Sequence, residues 1–169
     1  FNEEKTISDT LKGLFSVKPG LSKLGYELII YVINDGSTDA TKKIASEHME
    51  VLIINHKKNK GLGAAVRTGL LSASNINADI VVKYDADLQH KPLDILSLIK
   101  PIDDDEADIV YGNRFEKMNY KMPFIRKMGN KVFTNLMKWL TGWPLMDSQP
   151  GIFAVNNVFL ANFYLPGDY

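Results

Sequence analysis

Asp85-Ala86-Asp87 places two carboxylates two residues apart, directly after the apolar run Ile80-Val81-Val82-Lys83-Tyr84. Alternate positions along a strand share a face, so at a strand end both acids can reach one polar pocket. Paired hard oxygen ligands suit Mg²⁺ or Mn²⁺, ions that commonly bridge to substrate phosphates. Gln89 and His90 extend the polar cluster. The pattern is short and equally describes a turn with two exposed acids. Its place after a buried strand favours the ligand reading.

Asn34-Asp35-Gly36-Ser37-Thr38-Asp39 follows another apolar run. Gly36 permits a tight turn, and Ser37 or Asp39 can cap the next helix. The alternative is a carboxylate that accepts hydrogen bonds from a nucleotide base. Lys57, Lys58 and Lys60 precede Gly61-Leu62-Gly63, which makes a basic loop at a helix start. A helix amino terminus attracts anions, although the lysines alone also suit an ordinary surface. Val66 stands where a dinucleotide-binding fingerprint needs its third glycine, and no Gly-x-x-x-x-Gly-Lys-Ser/Thr loop is present.

Such groups need alternating elements to hold them. Ile7, Leu11, Leu14 and Phe15 follow helical spacing within 6–17, and Lys18-Pro19-Gly20 reads as the stop. The apolar run 26–33 is too short for a buried helix and reads as a buried strand. Further helices are expected over 40–48, 62–74, 93–99 and 123–140, and strands over 51–54, 80–84, 109–111 and 152–155. Alternation at this spacing predicts βαβ units and a mainly parallel central sheet. Ligands bind beyond the carboxyl ends of such strands. The polar motifs fall there, including Gly112-Asn113-Arg114 after the strand at 109–111. The acidic run Asp103-Asp104-Asp105-Glu106 reads as a solvated loop.

Composition narrows the class. The 169 residues fit one α/β domain, at 45% hydrophobic and 24% charged. Twenty basic against twenty acidic residues give zero formal net charge, which argues against a nucleic-acid partner. The absence of cysteine excludes disulfides, thiolate metal sites and cysteine nucleophiles. No apolar run reaches the roughly 18 residues of a membrane-spanning helix, and no signal peptide is expected within these residues. Phe1 at one end and Leu165-Pro166-Gly167-Asp168-Tyr169 at the other read as cut points within a longer protein.

Together the motifs resemble family 2 glycosyltransferases of the GT-A fold, in particular the polyprenyl-phosphate branch. The matching pieces are Phe1-Asn2-Glu3-Glu4, Asn34 to Asp39, Asn59-x-Gly61-x-Gly63-x-Ala65 and Asp85-Ala86-Asp87-Leu88-Gln89-His90. Gly112-Asn113-Arg114-Phe115, Arg126-x-x-x-Asn130 and Asp147-Ser148-Gln149-x-Gly151 follow in order. The resemblance implies that Glu3, Asp35, Asp39, Gly61 and Asp85 bind the nucleotide sugar. It implies that Asp85, Asp87 and Gln89 hold Mg²⁺ or Mn²⁺. Arg114, Arg126 and Asn130 are expected on the acceptor side, with Asp87, Arg114 and Arg126 carrying catalysis. Two of the three arginines in the chain thus fall in family motifs, and arginine suits bidentate phosphate recognition. One departure stands out: the family pattern continues Gly-Phe-Arg/Lys, whereas Gly151 is followed by Ile152 and Phe153. The resemblance also implies a central strand before Phe1 and acceptor-contacting or membrane segments after Tyr169.

The implied reaction is inverting, metal-dependent transfer of a sugar from a nucleotide-sugar donor to a polyprenyl-phosphate lipid. A lipid phosphate is already ionised and attacks without the general base that a hydroxyl acceptor needs. The chain offers no convincing base, Asp168 being a candidate only by its place near the end. The alternatives are transfer to a saccharide hydroxyl, a nucleotidyltransferase, or a non-catalytic nucleotide-sugar-binding relative. Residues 114–138 carry seven basic side chains and one acid, with an apolar stripe of Met128, Val132, Phe133, Leu136 and Leu140 and with Trp139 and Trp143 close by. A basic amphipathic helix with tryptophans suits an anionic membrane surface, and equally a core-packing helix with a solvated basic face. The expected location is the cytoplasmic face of a membrane, held peripherally or by segments outside this chain.

Overall fold

The structure, a computed structural model, describes residues 1–112 and 151–162. Helices α1 (Ile7–Ser16) and α2 (Lys18–Lys23) lead into β1 (Ile30–Asn34), α3 (Thr41–Ser46) and β2 (Val51–Asn55). Next come α4 (Leu62–Asn75), β3 (Ile80–Lys83), α5 (Asp94–Asp103), β4 (Ile109–Tyr111), β5 (Phe153–Asn156) and α6 (Asn157–Asn162). The expected helix at 123–140 lies outside the described residues.

Two apolar clusters carry the fold. In one, Ile7 and Leu11 of α1 and Ala45 of α3 pack on Ile30 and Val51 of β1 and β2. In the other, Leu21 of α2 and Ile95, Leu98, Ile99 and Ile102 of α5 pack with Ile152 and Ala154 at β5. Leu14 and Leu28 touch both clusters, and α4 packs on β1 and on β3.

Local departures from the sequence reading have identifiable causes. Lys18-Pro19-Gly20 does not end the helical region. Pro19 sits in the first turn of α2, where the missing N–H is no loss, and Val17 joins the two helices. The ladder of β1 begins at Ile30, not at 26, because its partner begins at Val51, directly opposite. The earlier part of the run is used differently: the Tyr26 amide closes α2 on the Leu21 carbonyl, and its hydroxyl donates to Asp103 at 2.6 Å. Helix α5 continues through Pro101 to Asp103. Burial of Ile102 in the same cluster as Ile95, Leu98 and Ile99 favours the extra turn over the single bond that proline forfeits. Asp103, Asp104, Asp105 and Glu106 are exposed, as expected.

The sheet pairing among the described residues is mixed. Strands β1 and β2 are parallel, but β5 lies between β3 and β4 and runs antiparallel to both. The described strands therefore form one parallel pair and one three-stranded antiparallel sheet. Reversal of β5 has a geometric consequence. Its first residue, Phe153, lies opposite the last residues of both neighbours, Lys83 and Tyr111. The segment that enters β5 therefore meets the carboxyl ends of β3 and β4, where two of the polar motifs begin.

Candidate active site

Asp35 follows β1 and His56 follows β2, one step beyond the paired Asn34 and Asn55. The Asp35 carboxylate, 6% exposed, receives three donors. The Lys60 amide donates to Oδ1 at 2.9 Å and the Gly61 amide to Oδ2 at 2.8 Å. The third partner is His56 Nδ1, 2.7 Å from Oδ1, and the other ring nitrogen of His56 meets Thr68 Oγ1 of α4 at 2.9 Å. Burial alone would push the Asp35 carboxyl up. Hydrogen bonds from His56 and from the Lys60 and Gly61 amides outweigh it, so the group titrates below the ordinary carboxylate value. The anion expected at the amino end of α4 is thus, in this structure, an internal one.

Gly36 seals the same junction. Its φ is +67°, and a Cβ there would stand 2.4 Å from the carbonyl carbon of Lys58 and 2.5 Å from the Asn59 nitrogen. Backbone meets backbone at this point, which only glycine allows.

The amino-terminal segment joins this loop from the other side. Asn2 accepts from the Thr38 amide at 2.9 Å, and its own amide donates to Ser37 Oγ at 3.0 Å. Glu4 accepts from the Ala40 amide at 3.0 Å, and the Glu3 amide donates to Thr41 Oγ1 at 2.7 Å. The Glu3 carboxylate accepts from Thr6 at 3.0 Å. Asp39 accepts from the Thr41 amide and hydroxyl on one oxygen and from the Glu4 amide on the other. Partial burial pushes Asp39 up, but these donors bring it net below the ordinary value. Asp39 thus holds Thr41, the first residue of α3, and anchors the amino-terminal segment.

Asp85 and Asp87 lie beyond β3 in a turn braced from beneath. Thr10 of α1 donates to the Ala86 carbonyl at 3.3 Å, and Pro92 fills the space beside Gly13. Asp87 Oδ1 accepts from the Gln89 amide at 3.0 Å, with Leu88 between them at φ +61°. A leucine in the left-handed region is strained and persists only where its surroundings dictate it. Tyr84 donates to the His90 carbonyl, and burial, then the Asp94 and Asp87 carboxylates, push its phenol up to about 12, so it stays a donor. Lys83 Nζ lies 2.6 Å from Asp85 Oδ2 and 2.7 Å from the Gly151 carbonyl. The Gly112 amide donates to the Ile152 carbonyl at 2.9 Å. The reversed β5 thereby brings 85–90, Gly112 and Gly151 to one edge.

Among the described residues no group of three or more His, Cys, Asp or Glu side chains is arranged to hold a metal ion. Asp85, Asp87 and Gln89 are hard oxygen donors with Asp85 32% exposed, so they fit an ion that completes its shell with phosphate oxygens and water. Arg114, Arg126, Asn130 and Asp147-Ser148-Gln149 lie outside the described residues. Sequence reasoning quoted Asn2 and Glu4 within a motif but gave them no role, and it missed Thr10, His56 and Lys83. Of those three, Lys83 carried a usable signal, two residues before Asp85 on the same strand face.

Comparison with known proteins gives the family and the fold. The family model for glycosyl transferase family 2 matches residues 1–160, and the chain belongs to that family. A UDP-N-acetylglucosamine–dolichyl-phosphate N-acetylglucosaminyltransferase of Methanococcus voltae is 36% identical, over 91% of this chain and 65% of that protein. A dolichol-phosphate mannosyltransferase of Pyrococcus furiosus is 38% identical, over 78% of this chain and 36% of that one. The chain therefore spans less than two thirds of the length of these relatives. Glucosyl-3-phosphoglycerate synthase from Mycobacterium tuberculosis, in complex with phosphoglyceric acid, superposes with a TM-score of 0.70 at 20% identity, over 94% of this chain and 55% of that one. The fold is accordingly the α/β GT-A fold.

Two measurements test the Asp35 junction. Gly25 also has positive φ, +85°, but open space around it. Gly25→Ala is expected to lose only the roughly 1–2 kcal/mol of an unfavourable φ. Gly36→Ala loses more, because backbone must move as well; urea unfolding of the two variants compares them. Asp35 stabilises the fold fully above its unfolded value near 3.8, and that contribution is lost as pH falls through the lower folded value. The stability gap between wild type and Asp35→Asn should therefore shrink below pH of about 4. A gap that stays constant from pH 7 to pH 3 contradicts the assignment.

Proposed function

We propose that the chain is the donor-binding and catalytic part of a transferase that moves a sugar from a nucleotide sugar to a polyprenyl phosphate, with inversion at the anomeric carbon. The observation that carries this reading is the placing of Asp85-Ala86-Asp87 at the edge where Gly112 and Gly151 also arrive. The names of the relatives point to a dolichyl-phosphate acceptor. On this reading the nucleotide lies along Glu3, Asp39, Gly61 and Asp85. Asp35 acts from behind by holding the loop 57–61 in place. The acceptor oxygen attacks the anomeric carbon opposite the leaving group, and the departing bond's electron pair leaves with the nucleoside diphosphate.

Asp85, Asp87 and the Gln89 amide oxygen would hold Mg²⁺ or Mn²⁺. When bound, such an ion neutralises charge that develops on the diphosphate. In the structure Asp87 accepts from the Gln89 amide, and Asp85 accepts from Lys83. Arg114, Arg126 and Asn130 are assigned to the acceptor phosphate, which enters ionised and needs no general base. No helix among the described residues is long and apolar enough to cross a membrane. We assign the basic segment 114–143 to an anionic membrane surface, with the domain on the cytoplasmic face.

Asp87→Asn is expected to abolish Mn²⁺-dependent binding of a nucleoside diphosphate with little change in melting temperature, because Asp87 lies in a turn outside both apolar clusters. Calorimetric titration with and without Mn²⁺ checks it. The full-length protein, given a panel of nucleotide sugars, Mn²⁺ and a polyprenyl phosphate, should yield labelled lipid; label in a saccharide instead would reassign the acceptor. Wild type should also bind anionic vesicles better than neutral ones at low salt, with about 1 kcal/mol per engaged basic side chain. Replacing Lys127, Lys131 and Lys138 together by Gln should remove most of that preference.

A further inference from the structure

Lys83 has no role in the reading above beyond its contact with Asp85, yet its surroundings are unusual for a lysine. Its side chain is 12% exposed, whereas in the described pairs Lys18–Glu50 and Lys100–Asp104 the lysines are 48% and 72% exposed. Exposed pairs of that kind contribute little. The Lys83 ammonium is instead withdrawn from water and has two fixed acceptors. One is Asp85 Oδ2 at 2.6 Å, and the other is the Gly151 carbonyl at 2.7 Å.

Gly151 is buried, and a Cβ on it would stand 2.3 Å from His90 Nε2, so the His90 ring packs directly against that backbone. The residue directly across the ladder from Lys83 is Phe153, where the family pattern calls for a basic residue. Directly opposed side chains lie within about 5.5 Å at Cβ. A positive charge therefore enters the same space from β3 rather than from β5.

We propose that Lys83 is a positioning residue for Asp85: its ammonium is an internal counter-ion that ties the carboxylate to the backbone ahead of β5 and biases the site against a bare divalent cation and toward a cation that arrives with a diphosphate. The inference rests on the assignment of Asp85 to the donor site. Its electrostatics are simple. A divalent cation alone must approach a carboxylate that is already neutralised, with an ammonium beside it. A nucleoside diphosphate brings the negative charge that both cations need, and the ammonium retains a third N–H to offer it.

The test uses Mn²⁺ alone, followed by electron paramagnetic resonance, and UDP with saturating Mn²⁺, followed by calorimetry. Wild type, Lys83→Met, Lys83→Arg and Asp85→Asn are compared, with melting temperatures recorded. Removal of a unit charge at this distance is worth at least about tenfold in ion affinity. Lys83→Met should bind Mn²⁺ alone at least about tenfold more tightly and UDP with Mn²⁺ about tenfold more weakly. Lys83→Arg should follow wild type in both. Equal affinities in wild type and Lys83→Met, with binding lost in Asp85→Asn, overturn the role of Lys83 and leave the donor-site assignment standing. Unchanged Mn²⁺-dependent binding in Asp85→Asn overturns the assignment itself and the inference with it. If Lys83→Met does not fold, Lys83→Gln is measured in the same way, and the same outcomes decide.

Discussion

A carboxylate taken out of water must be given donors, and the requirement at Asp35 organises half of the site. An isolated buried charge is costly unless hydrogen bonds replace its hydration. Here the replacements come from three places in the chain: His56 after β2 and the amides of Lys60 and Gly61 before α4. Satisfying one side chain therefore fixes the path of the loop between β2 and α4. Gly36 allows the two backbones to touch, and Thr68 anchors the far side of the imidazole on α4. The amino-terminal segment then has a rigid surface to join, through Asn2, Glu3 and Glu4.

The other half depends on strand direction. Because β5 runs against β3 and β4, its entry segment lies at their exits. Gly151 is set beside the Asp85 turn, and Ile152 beside Gly112. A parallel β5 would have carried these groups to the opposite edge. The Asp85 turn itself is held by elements distant in sequence, with Thr10 and Gly13 of α1 under Ala86 and Pro92. The first helix of the described chain thus braces the loop on which the proposed chemistry depends, on either side of Leu88 with its positive φ.

Much of this was legible in the sequence. Apolar periodicity located the helices and strands, since burial of one face is a local property of residue order. The polar motifs that hold Asp35, Asp39, Asp85 and Asp87 do follow strands, as the alternation of elements implied. What residue order could not reveal was pairing. The choice of β5 as the centre of an antiparallel sheet, the meeting of His56 with Asp35 across 21 positions, and the meeting of Lys83 with Gly151 across 68 are set by packing of segments far apart in the chain. Which residues carry polar groups and which faces are buried was readable from residue order, because both follow from side-chain type and local spacing. Which charges neutralise one another was not, because buried ions take partners from whatever backbone and side chains the fold brings within hydrogen-bonding distance.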